Sequence, residues 1–162
     1  MEKPEVLFDR WYVQPLKKLQ EIPNGDGGFI ALATSCFLYE RYAVAVIKES
    51  GAKADEGAII RQFAADFGVD EKVAQVFWDV IRNGLLHGAM PKQQEYGQHT
   101  LPRWAFRNDF PAVELAEWNG ERVLKVQPWR IMEKVISLWQ QNLHLLDQSK
   151  SFPWANIVPL PP

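Results

Sequence analysis

The sequence predicts a mainly α-helical protein: a bundle of about five helices with a β-hairpin inserted before the last helix. Apolar residues recur at intervals of three and four through most of the chain, and a clear apolar–polar alternation is found over residues 112–127. With 162 residues, 47% of them hydrophobic, the chain has enough material for one core. We therefore expect a single domain over residues 1–147 and an extended, proline-rich tail over residues 148–162.

Glycine, proline and capping residues set the expected ends of the helices. Pro15 should bend or break the first helix, because proline lacks the amide hydrogen that a helix interior needs. Gly51 should end the second and longest helix, and Asp55 and Asp70 are suited to cap the third and fourth. In chain order, the predicted helices cover residues 6–20, 29–49, 56–67, 71–87 and 128–146.

The hairpin is predicted from the alternating stretch, whose centre is Asn119-Gly120. This pair suits a two-residue turn in which both residues have positive φ. Pro128 then fits the first turn of the last helix, whose apolar stripe should face the bundle. That stripe consists of Trp129, Met132, Val135, Ile136, Trp139, Leu143 and Leu146.

Composition and charge argue against several classes of function. The formal net charge is −2, so the whole chain lacks the basic field of a general nucleic-acid binder. The single cysteine, Cys36, lies in an apolar helical stretch, which suits a core residue in a reducing compartment. Glu40 and Arg41 interrupt the longest apolar stretch, residues 29–47. We therefore expect no membrane span, no membrane partner and a cytoplasmic location.

The fourth predicted helix ends in a polar group, in the stretch IRNGLLHG. Asn83 and His87 are neighbours at the edge of the core-facing stripe, whereas Arg82 lies about 140° around the helix from His87. Arg82 and His87 come together only if the helix bends or if the arginine of one chain meets the histidine of a second chain. A histidine in the last turn is suited to donate a proton. The alternative is that His87 only caps the helix and that Arg82 is a solvated charge.

The long second helix carries a carboxylate on its apolar stripe. Glu40 lies about 20° from the direction of Phe29, so it should face the core. A buried carboxylate needs a cationic or hydrogen-bonding partner. Either Glu40 pairs with Arg41 or a tyrosine hydroxyl only to satisfy itself, or it orients Arg82 or His87. The remaining residues of the stripe are Ala33, Cys36, Phe37, Ala43, Val44 and Ile47.

The stretch IRNGLLHG resembles the signature of the HEPN superfamily, in which an arginine is followed by a polar residue and a gap of four to six residues separates the arginine from a histidine near the C-terminal end of a helix. Arg82, Asn83 and His87 match it, and Glu40 in FLYERYAV matches an acidic residue that recurs on an earlier helix of such domains. The resemblance covers roughly residues 29–88. It implies a metal-independent endoribonuclease in which two protomers share one cleft and these four residues are catalytic.

The resemblance also implies a biological setting, a toxin or an effector of defence or stress responses with an antitoxin or another partner protein. Other members of the superfamily only bind nucleotides or proteins, so the alternative is a non-catalytic dimeric binding module. We expect no metal and no other cofactor. His99 and His144 lack metal-ligand spacing with Cys36, and no glycine-rich phosphate motif occurs.

Two further sets of residues are candidates for binding. The stretch PRWAFRN interleaves Arg103 and Arg107 with Trp104, a mixture that can stack bases and hold phosphates of RNA. The other interpretation is a hairpin flank packed on the bundle. On the fourth helix, apolar side chains around the arginine project away from the predicted stripe, which indicates a homodimer interface. These side chains are Trp78, Leu85 and Leu86.

Overall fold

The computed structural model describes residues 2–92 and 101–147 and confirms the mainly α-helical class. The predicted tail, residues 148–162, lies outside the described residues. Short 3₁₀ helices over Pro23–Gly25 and Leu143–Asp147 accompany the main elements. In chain order these are α1, residues 4–19; α2, Gly28–Glu49; α3, Glu56–Phe67; α4, residues 71–88; β1, Arg103–Phe106; β2, Val113–Trp118; β3, Glu121–Val126; and α5, Pro128–Gln141.

The first helix continues through its proline by means of a π-helical turn. Pro15 lies two residues after the end of this turn, in which the amide of Gln14 bonds to the carbonyl of Asp9, five residues back. The wider turn accommodates the proline ring, so the expected break does not occur. The consecutive segments of α1 are Pro4–Phe8, the π turn Asp9–Val13 and Gln14–Leu19.

The fourth helix is built in the same way. The amide of Asn83 bonds to the carbonyl of Trp78, again five residues back. A π turn inside an α-helix is rare and often accompanies a functional site. The consecutive segments of α4 are Glu71–Phe77, the π turn Trp78–Arg82 and Asn83–Gly88.

After α4 the chain folds back along the helix. Ala89, with φ of +56°, makes the reversal that we had expected at Gly88. The amide of Lys92 then donates a hydrogen bond of 2.8 Å to the carbonyl of Val80. This return segment, residues 89–92, lies so close to the helix that a Cβ atom at Gly84 would be 2.5 Å from the nitrogen of Lys92. A glycine is therefore needed at this position.

The predicted caps are confirmed. The carboxylate of Asp55 accepts a hydrogen bond of 2.9 Å from the amide of Ala58, and Asp70 accepts one of 2.8 Å from Val73. Gly51, just after α2, has φ of +81°, the left-handed conformation that ends many helices. Local capping chemistry thus fixes these helix boundaries.

The sheet has the strand order β1-β3-β2. β2 and β3 form the predicted antiparallel hairpin, and Asn119 and Gly120 both have positive φ, of +54° and +78°. β1 pairs with β3 in parallel. The sequence pattern did not predict β1, because four residues are too few to show a clear alternation.

One buried cluster connects the five helices with the sheet. α2 packs against α5, where the indole N–H of Trp139 donates to the carbonyl of Leu38 at 3.1 Å. Phe63 of α3 stacks on Phe77 of α4, with 4.7 Å between ring centroids. Most of the predicted stripe of α5 is buried, but Leu143 lies beyond the end of the helix and is 41% exposed.

The central helix α2 is long and apolar enough to cross a membrane, with a mean hydropathy of 1.4. The expectation that Glu40 and Arg41 exclude this on composition was therefore wrong. In the most apolar 18-residue stretch of α2, 56% of the residues are buried inside the domain. The central helix of a folded core can be as apolar as a membrane-spanning helix. Cys36 is buried as predicted, and its burial raises the pKa of the thiol to about 12.

Candidate functional site

The four residues of the HEPN-like signature do not all meet within one chain. Arg82, Asn83 and Glu40 are joined by hydrogen bonds, and all three are half-buried. His87 is exposed and makes no hydrogen bond or ion pair with any residue in the described part of the chain. It lies about 140° around α4 from Arg82, as the regular helix between them requires.

The guanidinium of Arg82 is held from several sides. Its Nε and Nη2 atoms both donate to Oε2 of Glu40, at 3.2 and 2.5 Å, and Nη1 donates to Oδ1 of Asn83 at 2.7 Å. Its Cζ atom lies 5.3 Å from the ring centroid of Trp78, a cation–π contact. We call Arg82, Glu40, Asn83 and Trp78 the arginine cluster. Together these contacts restrict the arginine to one conformation.

The arginine cluster leaves part of the guanidinium available. Arginine has five N–H donors, and residues in the described ranges accept three hydrogen bonds from Arg82. The side chains of Arg82 and Glu40 are 18% and 31% exposed, so the ion pair lies at the surface of the bundle. The two remaining N–H donors are therefore the candidates for binding a ligand.

Glu40 is half-buried rather than enclosed in the core, and its expected cationic partner is Arg82. Phe37, which the pattern placed on the same buried stripe, is 44% exposed. The physical reason is that α2 is apolar around most of its circumference, so its sequence pattern does not define the inward face. Cys36, Ala43 and Ile47 of the predicted stripe are buried, and so are Leu38, Tyr39 and Tyr42 on neighbouring faces.

The predicted dimer residues of α4 lie mostly in the core, which corrects a second expectation. Trp78 is 2% exposed and Leu85 is 8% exposed, whereas Leu86 is 37% exposed. The rings of Tyr39 and Phe63 contact Trp78 edge-on, at 6.4 and 6.3 Å between centroids. Because α2 and α3 both cover α4, its buried face is wider than the predicted stripe. Trp78 and Leu85 are therefore not available to a second chain.

The predicted RNA-binding residues are engaged elsewhere. Arg103 pairs with Glu121 at 3.1 Å, and Arg107 forms two hydrogen bonds with Asp109, of 2.9 and 2.7 Å. Trp104 is half-buried, and its ring packs against two phenylalanine rings. Its indole N–H is buried without an acceptor among the described residues. Both arginines thus form exposed ion pairs and the indole packs on the bundle, so RNA binding by this patch stays a prediction.

A surface groove next to the arginine cluster was not identified from the sequence. It is lined by Phe37, Glu40, Arg41 and Val44, which follow one another at helical spacing along α2. Arg41 is exposed, and within residues 2–92 and 101–147 it has no ion pair or hydrogen bond. The adjacent charges of Glu40 and Arg41 are the signal that could have identified this side of α2 as the solvent side.

The remaining histidines do not form a metal site in the described part of the chain. His144 lies 3.1 Å from a carboxylate oxygen of Glu49, and His99 is outside the described residues. No group of three or more His, Cys, Asp or Glu side chains that could hold a metal ion occurs among the residues that the structure describes.

Comparison with protein-family models, with curated proteins and with solved structures gave no match. The arginine cluster and the HEPN-like signature are therefore the features of the chain that bear on its function.

Proposed function

We propose that this chain is a HEPN-like, metal-independent endoribonuclease whose site is completed in a homodimer. The observation that carries the proposal is the arginine cluster. An arginine at the position that the signature requires is fixed by Glu40, Asn83 and Trp78, and it keeps two N–H groups for a ligand. A guanidinium held in this way suits a phosphate group, because the site need not reorganise when negative charge develops.

In this proposal the RNA supplies its own nucleophile. The oxygen of a ribose 2′-hydroxyl attacks the adjacent phosphorus, and the bond from phosphorus to the 5′-oxygen of the next nucleotide breaks. The products end in a 2′,3′-cyclic phosphate and a 5′-hydroxyl. His87 accepts the proton of the 2′-hydroxyl and returns a proton to the leaving 5′-oxygen, and Arg82 binds the non-bridging phosphate oxygens. Asn83 and Glu40 hold Arg82 in place.

The dimer belongs to the proposal because one chain keeps Arg82 and His87 on different sides of α4. A two-fold axis near the end of this helix would let His87 of one protomer face Arg82 of its partner. Leu86 and Met90, which are 37% and 51% exposed, supply apolar surface at this end. The role as a toxin or defence effector with an antitoxin comes from the resemblance alone, whereas the proposed cytoplasmic location comes from the single cysteine and the interrupted apolar stretch of the sequence.

The test is incubation of purified protein with mixed RNA in excess EDTA, followed by analysis of the RNA ends. We expect cyclic phosphate ends from the wild type and no cleavage by Arg82→Ala or His87→Ala, each with an unchanged circular dichroism spectrum. His144→Ala is the matched control, since this exposed histidine lies outside the arginine cluster and should leave cleavage unchanged.

Mixing the two inactive variants tests the shared site directly. Random pairing of Arg82→Ala with His87→Ala chains gives mixed dimers in which one of the two sites has both native residues, so about a quarter of the wild-type activity should return. No recovery after verified exchange would contradict a site shared between protomers. Intact RNA with the wild type at high protein concentration would instead favour a non-catalytic module that binds nucleotides or proteins.

A further inference from the structure

The groove beside the arginine cluster has features that cleavage of a phosphodiester does not use. The ring of Phe37 is 44% exposed, although aromatic rings of this size are usually buried. Arg41 is exposed and unpaired within the described ranges. Glu40 lines the groove and also binds Arg82, so the groove begins where the proposed phosphate-binding arginine is held.

The charges of the groove and the adjoining cluster suit an anion. Glu40 neutralises one of the two arginines, Arg41 and Arg82, so these three residues carry a single positive charge. The whole chain, by contrast, has a formal net charge of −2. A phosphodiester strand has one negative charge for each nucleotide, so a second phosphate can lie at Arg41 while the first lies at Arg82.

The exposed ring one helical turn before Arg41 selects among nucleic acids. Proteins hold unpaired bases by stacking them on exposed aromatic side chains while nearby cations bind the phosphates. In a duplex the bases stack on one another and are not available to a side chain. Phe37, with Arg41 one helical turn beyond it, therefore fits a single strand.

We propose that this groove is a base-binding subsite for single-stranded RNA. Phe37 stacks a base next to the cleaved phosphate, and Arg41 binds the neighbouring phosphate. The inference rests on the proposed function, because it extends the substrate away from Arg82 and restricts it to unpaired RNA. A second copy of this chain is the competing occupant, and it would need only apolar area, whereas stacking needs a flat ring.

Binding is measured with the His87→Ala chain and a fluorescently labelled single-stranded oligoribonucleotide, by anisotropy. In this background, Phe37→Ala and Phe37→Leu should each raise the dissociation constant about 5- to 140-fold, and Phe37→Tyr should leave it nearly unchanged. Arg41→Gln should weaken binding and lower the salt dependence by about one ion. Lys48→Gln, an exposed cation farther along α2, is the control and should have little effect.

The outcomes separate this inference from the proposed function. Unchanged binding in both Phe37→Ala and Phe37→Leu, or equal affinity for a duplex of the same sequence, overturns the subsite and leaves cleavage unaffected. If Phe37→Leu keeps both the RNA affinity and the dimer, and Phe37→Ala loses both, the result overturns the subsite and favours a protein interface at Phe37. Phe37-dependent binding together with a wild type that does not cleave supports the subsite and refutes the ribonuclease. No binding of single strands at all refutes the subsite.

Discussion

Removing the charge of Glu40 should lower the free energy of unfolding by an amount that follows from the exposure of its ion pair with Arg82. Fully exposed ion pairs contribute about 0–1 kcal/mol to stability, and breaking a fully buried pair costs about 3–5 kcal/mol. The pair of Arg82 and Glu40 lies between these limits, because its side chains are 18% and 31% exposed and two guanidinium N–H groups share one carboxylate oxygen. We expect an interaction free energy of about 2 kcal/mol.

A double-mutant cycle measures this quantity. The variants are Glu40→Gln, which keeps the shape, Arg82→Met, and the two combined, and urea unfolding followed by tryptophan fluorescence gives the free energy of unfolding of each. The exposed pair of Lys18 and Glu21, with side chains 75% and 66% exposed, is the matched control and should show almost no interaction. An Arg82–Glu40 value no larger than the control would refute the argument that Glu40 holds the arginine.

Three further predictions concern stability. Gly84→Ala should lower the free energy of unfolding by about 1–3 kcal/mol, because the new methyl group would lie 2.5 Å from the nitrogen of Lys92. Gly88→Ala is the control: no atom lies within 4 Å of the added Cβ, so urea unfolding should show almost no loss. Asp70→Ala should cost about 1 kcal/mol by the same assay, and Asp70→Ser should restore most of it. Burial raises the pKa of the Cys36 thiol from 9.0 to about 12, so the folded chain keeps a proton that the unfolded chain loses; stability should fall as the pH rises above 9.0, and less steeply in Cys36→Ala.

The helices and the hairpin were predictable because their ends depend on local chemistry. Aspartate caps, glycine stops and the Asn119-Gly120 turn act within a few residues of their own position. The two π turns were not predicted, because the apolar residues of each stretch also fit the stripe of an uninterrupted α-helix. β1 forms because it pairs with β3, and the pattern of a four-residue segment does not predict that contact.

The sequence indicated that Glu40 needs a cationic partner, but it did not indicate the direction in which the Glu40–Arg82 pair faces. A carboxylate on an apolar helix requires a cation, and that requirement pointed to Arg82 among the partners of Glu40. Which way the pair faces depends on how α2, α3 and α4 pack together. Trp78 is buried because Tyr39 and Phe63 of two other helices pack against it. The residue pattern of α4 alone does not predict these contacts.

The π turn over Trp78–Arg82 means that the position of the arginine depends on the length of the helix as well as on its residue types. Deleting one residue from this turn would restore regular α-helical hydrogen bonding and rotate the rest of α4 by about 100° relative to the first half. Arg82 would then turn away from Glu40, and His87 would move with it. The feature behaves as a one-residue insertion. An ungapped alignment with a regular helix would therefore slip by one position at this turn and pair the arginine with a neighbouring residue.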